Sequence, residues 1–174
     1  HPRGTIAHTY SGAPVETRLD GRPTGEYGLN ALVLGAGGIP VGMVAGADAL
    51  AAEVEAWLPS AERVVVKTAD GTSSETSVHP NVACALVREG ATRAVSRVVT
   101  GAGGGFRALE VGRPVIIEVD FARGVFADHA AMVPGADRVG EIDDSGHEVS
   151  DCEVCAELRL ERCHQARRHH CADQ

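Results

Sequence analysis

Apolar residues recur along this chain at two spacings that take turns. From Glu26 onward, Leu29, Leu32, Val33 and Ala36 fall at i, i+3, i+4 and i+7, the repeat that lines one face of a helix. Gly37-Gly38 ends the pattern and Pro40 forbids its continuation, so residues 40–44 read as a short strand. A second helical pattern opens at Gly46-Ala47-Asp48, carries Leu50, Ala51, Val54, Trp57 and Leu58 on one face, and stops at Pro59-Ser60. Arg63-Val64-Val65-Val66 is a compact β-branched strand followed directly by Lys67. Residues 70–77 are polar and read as a flexible loop. His79-Pro80 then starts the longest helix, with Pro80 suited to its first turn. Its expected apolar face is Ala83, Leu86, Val87, Ala94, Val95 and Val98, with Cys84 beside it as a small core residue. After a glycine-rich hinge at 101–105, residues 113–120 form another apolar strand and 122–132 a weak helix.

Upstream of Glu26 the pattern is looser. Residues 1–12 read as a loop that carries Ile6-Ala7 and His8. Residues 15–19 alternate like a short exposed strand closed by the turn pair Asp20-Gly21, and Thr24 is the expected N-cap of the first helix. Helices alternating with short apolar strands predict an α/β fold, layered α/β/α with a mostly parallel sheet.

Composition narrows the picture. The chain has 174 residues, 44% of them hydrophobic, so it is long enough for a real core. Aromatics are only 3%, and that core must be aliphatic. A formal charge of −8 with no basic stripe excludes a nucleic-acid footprint and leaves small molecules or other protein chains as partners. Residues 27–47 carry no charge, but Gly35, Gly37, Gly38, Gly42, Gly46 and Pro40 break them into helix, turn and strand rather than a membrane span. A cytoplasmic protein is expected, and its five cysteines are then not a disulfide framework. The chain opens on a Pro- and Gly-containing loop without Met, which suits a fragment or a processed product.

Several residues could carry chemistry. Glu26 stands at the edge of the most apolar segment, either as a first-turn acid favoured by the helix dipole or as a carboxylate that is paired, protonated or metal-bound. His8 is open between a surface histidine and a catalyst. Asp48 fits ordinary helix-start chemistry, with a substrate role possible. Lys67 follows a strand, and in open α/β sheets ligands sit at such strand ends. Residues 34–38 imitate a dinucleotide-binding glycine loop, but they follow a helix and lead into a strand, which makes them a helix C-cap. Asp128-His129 lacks a third ligand at metal spacing and is assigned to the surface. Beyond residue 140 the composition changes, with Cys152, Cys155, Cys163, His164, His169, His170 and Cys171 close together. Their spacings match no established zinc finger and few apolar residues accompany them. The expected division is therefore residues 1–140 as one partial α/β domain and 141–174 as a polar, disordered or aberrant tail, with adventitious metal binding as the other reading.

An ordered set of short motifs adds a resemblance. His8-Thr9, Gly25-Glu26-x-Gly28-Leu29-Asn30-Ala31, Pro40-Val41 leading to Gly46-Ala47-Asp48, Val66-Lys67 and His79-Pro80 together resemble the zinc-dependent D-aminopeptidase family over about residues 1–140. The resemblance implies that His8 is the catalytic residue and that Glu26 is a ligand in a two-zinc site. It further implies hydrolysis of the N-terminal D-residue of small peptides, D-alanyl peptides foremost, and assembly into a homo-oligomeric ring. The family's Asp-x-Glu pair and two further histidines have no match in this sequence, and His1 reads as a loop residue. Thr72-Ser73-Ser74 also stands where an Arg and small residues commonly follow the Lys. The expectation is the C-terminal part of the family fold, inactive by itself. The alternative is a non-catalytic α/β binding or interaction module with a metal-binding Cys/His tail.

Overall fold

The computed structural model describes residues 1–101, 105–139 and 155–160, the last as backbone. In chain order the elements are β1 (Pro14–Leu19), β2 (Arg22–Thr24), α1 (Glu26–Ala36), β3 (Met43–Ala47), α2 (Asp48–Trp57), β4 (Glu62–Gly71), β5 (Ser74–Ser77), α3 (Pro80–Thr100), β6 (Val115–Phe121), α4 (Gly124–Ala130), β7 (Ala136–Arg138) and β8 (Cys155–Leu160). They fall into two compact units. One comprises His1–Ala7 and Thr24–Glu110, and the other His8–Pro23 and Val111–Gln174.

The first unit is built on a three-stranded sheet in the order β3-β4-β5. β3 runs parallel to β4, with Met43 opposite Glu62 and Ala47 opposite Lys67, because α2 carries the chain back between them. β4 turns directly into antiparallel β5 through residues 72–73. Ala49, Val54, Trp57, Leu58, Ala61, Val64 and Ala94 are buried, a core that is aliphatic, as expected, but for Trp57. Gly90 lets α3 lie close on the sheet, since a Cβ there would collide with Val64 and stand 3.1 Å from the Met43 sulfur.

The second unit holds a five-stranded sheet in the order β2-β1-β6-β8-β7. β1 with β6, β6 with β8, and β7 with β8 all pair antiparallel. Asp20 and Gly21, at φ 49° and 74°, provide the positive dihedrals of a two-residue hairpin turn between β1 and β2. Thr17, Leu19 and Ala127 are buried. On the other face of β1, Arg18 lies 2.6 Å from Asp120 and 3.6 Å from Glu118.

The α/β class is as expected, but the pairing sense differs from a mostly parallel sheet: of these ladders only β3/β4 is parallel. The reason is the length of the connections. Two-residue links at 20–21 and 72–73 can join only antiparallel strands, whereas α2 is long enough for a crossover. Residues 70–77, expected as a flexible loop, form the β4–β5 hairpin. Its turn is held by the Thr5 hydroxyl, which donates to the carbonyls of Gly71 (3.1 Å) and Ser74 (2.9 Å), and by the Ile6 N–H, which donates to Thr72 O at 2.8 Å.

Two helix faces also differ from the periodicity. α1 buries Gly28 and Ala31, while Val33 is 73% exposed and Ala36 is exposed too. α3 buries Gly90 and Ala94, and leaves Val95, Val98 and Cys84 exposed. In both, small residues rather than the largest apolar ones set the contact. Within the expected tail, the backbone of Cys155–Leu160 is strand β8 between β6 and β7. Cys152, Cys163, His164, His169, His170 and Cys171 lie outside the described residues. No described helix is long and apolar enough to cross a membrane.

Candidate active site

Glu26 is the first residue of α1, as the pattern predicts. The N-cap is Gly25, in extended conformation with φ −126°, rather than Thr24. The Thr24 hydroxyl lies one residue further back, buried without a hydrogen-bond partner, where a Cβ on Gly28 would overlap it. Glycine at 28 is what lets the chain enter the helix there. Half-buried Glu26 thus places a carboxylate in the first turn of α1. The Tyr27 hydroxyl donates to Glu53 O at 3.0 Å and ties this turn to α2.

His8 is exposed and opens the first segment of the second unit, so the two residues singled out by motif belong to different units. The backbone around it is unusual. Ile6 and Tyr10, two residues to either side, have φ of 50° and 57°, a region that a β-branched residue such as Ile seldom adopts. Such strain persists only where surrounding structure imposes it, and it concentrates at functional sites. A bridge between Thr9 and Ser11 closes the turn, and the Ser11 hydroxyl accepts from Ala13 N at 3.2 Å.

The second-tier residues fall in the first unit. Asp48 begins α2, and its Oδ1 accepts from Ala69 N at 3.0 Å, joining the helix start to β4. That hydrogen bond, supported by the Ala49 N–H and by the charge of Arg3, holds the Asp48 carboxyl below its ordinary value of 3.8 against an opposing desolvation effect. Lys67 is not at a strand end. It sits within the ten-residue β4, opposite Ser77 of β5, and pairs with Glu75 at 2.9 Å. The strand continues past it because the hairpin supplies a partner that the polar sequence did not announce. His1 is half-buried, with its Nδ1 accepting from Arg3 N at 3.1 Å and its amino group paired with Glu53. Asp128 pairs with Arg138, and both Asp128 and His129 are exposed.

Sequence reasoning passed over two arginines. Arg18 gathers Glu16, Glu118 and Asp120 around one guanidinium, and Arg97 reaches from α3 to the carbonyls of Ser60 and Gly105. Neither has a local signature, because every partner but Glu16 is distant in sequence or follows a helix end. Among the described residues no group of three or more His, Cys, Asp or Glu side chains could hold a metal ion. Glu26 offers one suitable donor, where a zinc ion needs three or four.

Known proteins carry this geometry further. The chain is 28% identical over 134 residues to the D-aminopeptidase of Bacillus subtilis, an alignment that spans 77% of this chain and 47% of that protein. It superimposes on a solved structure described as the Zn-dependent D-aminopeptidase DppA from Bacillus subtilis, a self-compartmentalizing protease, with a TM-score of 0.73 and 25% identity. That match covers 90% of this chain and 51% of the other, so the chain spans about half the length of the relatives it matches. The sequence profile of the D-aminopeptidase family, peptidase family M55, matches residues 1–153, a stretch that includes His8, Glu26, Asp48 and Lys67, and the chain belongs to that family.

Proposed function

We propose that this chain is part of a zinc-dependent D-aminopeptidase that removes the N-terminal D-residue from small peptides, D-alanyl peptides foremost, and that works in the cytoplasm as a homo-oligomeric ring. The observation that carries the reading is the family match over residues 1–153, which takes in both motif residues. The relatives' descriptions as zinc-dependent and self-compartmentalizing support the metal and the assembly. In this reading Glu26 holds a zinc ion. His8 acts on the attacking water or on the developing oxyanion, and its strained loop supports a positioned role. The described residues do not complete a zinc site by themselves.

The test uses a chain extended to the relatives' full length. Glu26→Gln removes the ligand charge while keeping size and hydrogen bonding. In the peptidase reading, bound zinc and release of D-alanine from a D-alanyl peptide fall together, by about tenfold or more. If both stay at wild-type level, Glu26 is only a helix-start acid, and the reading as a non-catalytic binding or interaction module takes over.

A further inference from the structure

We propose that Arg97 is the positioning residue of the first unit, acting through residues 105–110 on α1 and so on Glu26. The guanidinium makes four contacts at once. It donates to Ser60 O at 2.8 Å and to Gly105 O at 3.3 Å, lies 3.5 Å from Glu62 Oε1, and sits over the Phe106 ring with 4.3 Å to its centroid. Glu62 is fixed in turn by Arg93 at 3.1 Å. The planar fork of an arginine can hold two carbonyls and cover an aromatic face together, which an ammonium cannot.

What Arg97 grips is a strap without regular secondary structure that docks closely against two glycines. The Phe106 ring lies over Gly42, where an added Cβ would stand 3.4 Å from its edge. Further along, the Leu109 carbonyl meets α1 at Gly35, where a Cβ would overlap it. Gly35 lies seven residues after Gly28 and four after Ala31, so the strap closes the small-residue face on which α1 is seated. An eleven-residue helix is a rigid rod roughly 16 Å long, and a shift at its Gly35 end tilts its Glu26 end. The link from α1 to metal binding rests on the role proposed for Glu26. The link from Arg97 to α1 does not.

The experiment is amide hydrogen exchange on the 174-residue protein and its variants, read segment by segment. Arg97→Ala is expected to speed exchange in α1 by about tenfold, the equivalent of one lost charge-assisted hydrogen bond, with α2 and β4 changing less. Arg97→Lys keeps the charge beside Glu62 but not the two-carbonyl fork, and is expected to loosen α1 to a similar extent. Gly35→Ala displaces Leu109 with Arg97 intact, and is expected to give the same α1-specific pattern even if Arg97→Ala does not fold. Protection of α1 unchanged in Gly35→Ala, full rescue by Lys, or a uniform loss across all segments would each overturn the proposal. Loosening of α1 in Arg97→Ala with no loss of Glu26-dependent zinc, measured in the chain extended to the relatives' full length, would overturn the link to Glu26 while leaving the link from Arg97 to α1.

Discussion

Ile6 carries the clearest local strain in the chain. Its φ of 50° places a β-branched residue where the left-handed conformation costs about 1–2 kcal/mol, and Ile6 is 72% exposed, so little burial offsets that cost. Its N–H is nevertheless held by Thr72 O, which keeps the conformation in place. Asn adopts this region readily, and Ile6→Asn is expected to stabilise the fold by about 1 kcal/mol, read as a higher midpoint in thermal unfolding. A lower midpoint would show that the side chain contributes more than its exposure suggests. At Asp48 the expectation concerns pH. Its carboxyl is held below 3.8 in the folded chain, first by the Ala69 N–H, so its stabilisation is present above that value and lost as pH falls through and below it. Asn at this position can still accept from Ala69 but has no charge to lose. The denaturation midpoints of wild type and Asp48→Asn should therefore differ at neutral pH and converge as the pH is taken well below 3.8; a constant gap would sink the assignment.

At the scale of elements, close approach matters more than hydrophobicity. Gly90 sits mid-helix in α3, where alanine is ordinarily better by about 1 kcal/mol. Here an added methyl meets Val64 and the Met43 sulfur, and overpacking of that kind costs about 1–3 kcal/mol. Gly90→Ala is expected to destabilise the fold by a net ~1 kcal/mol, read as a lower denaturant midpoint and opposite in sign to propensity. A more stable variant would mean that Met43 moves aside freely. The same contrast explains what could be read in advance. Helix ends were legible because they rest on adjacent residues: α1 stops at Ala36 before Gly37-Gly38, and α3 starts at Pro80 with His79 as its N-cap. Glu26 and Asp48 were legible as first-turn acids for that reason. The seated faces were not, because Gly28, Ala31, Gly35 and Gly90 are selected by what lies against them, and a pattern of large apolar residues cannot register that. The β4–β5 hairpin was hidden likewise, since its turn is held by Thr5 and Ile6, more than sixty residues upstream. Nor did any motif signal the left-handed residues flanking His8.

For the molecule as a whole, the number of metal donors limits the chemistry. A catalytic zinc needs three protein ligands and an open position, and a two-zinc site needs more. Among the described residues no group of three or more His, Cys, Asp or Glu side chains could hold a metal ion, while the relatives are about twice as long as this chain. We therefore expect the 174-residue protein, given zinc, to release no D-alanine from a D-alanyl peptide above the rate of zinc in buffer. Zinc bound by cysteines and histidines beyond residue 150 would complicate a binding measurement, so hydrolysis is the quantity to follow, with Glu26→Gln as its internal control. Turnover that Glu26→Gln abolishes would mean that the chain assembles a complete site from residues not yet recognised as ligands. It would then be an enzyme on its own at half its relatives' length. Turnover that Glu26→Gln leaves intact would point to the cysteine- and histidine-rich segment and away from the family mechanism. Its absence, together with zinc-dependent activity in a full-length chain, would place the missing donors outside these 174 residues and leave His8 and Glu26 as this part's contribution to the site.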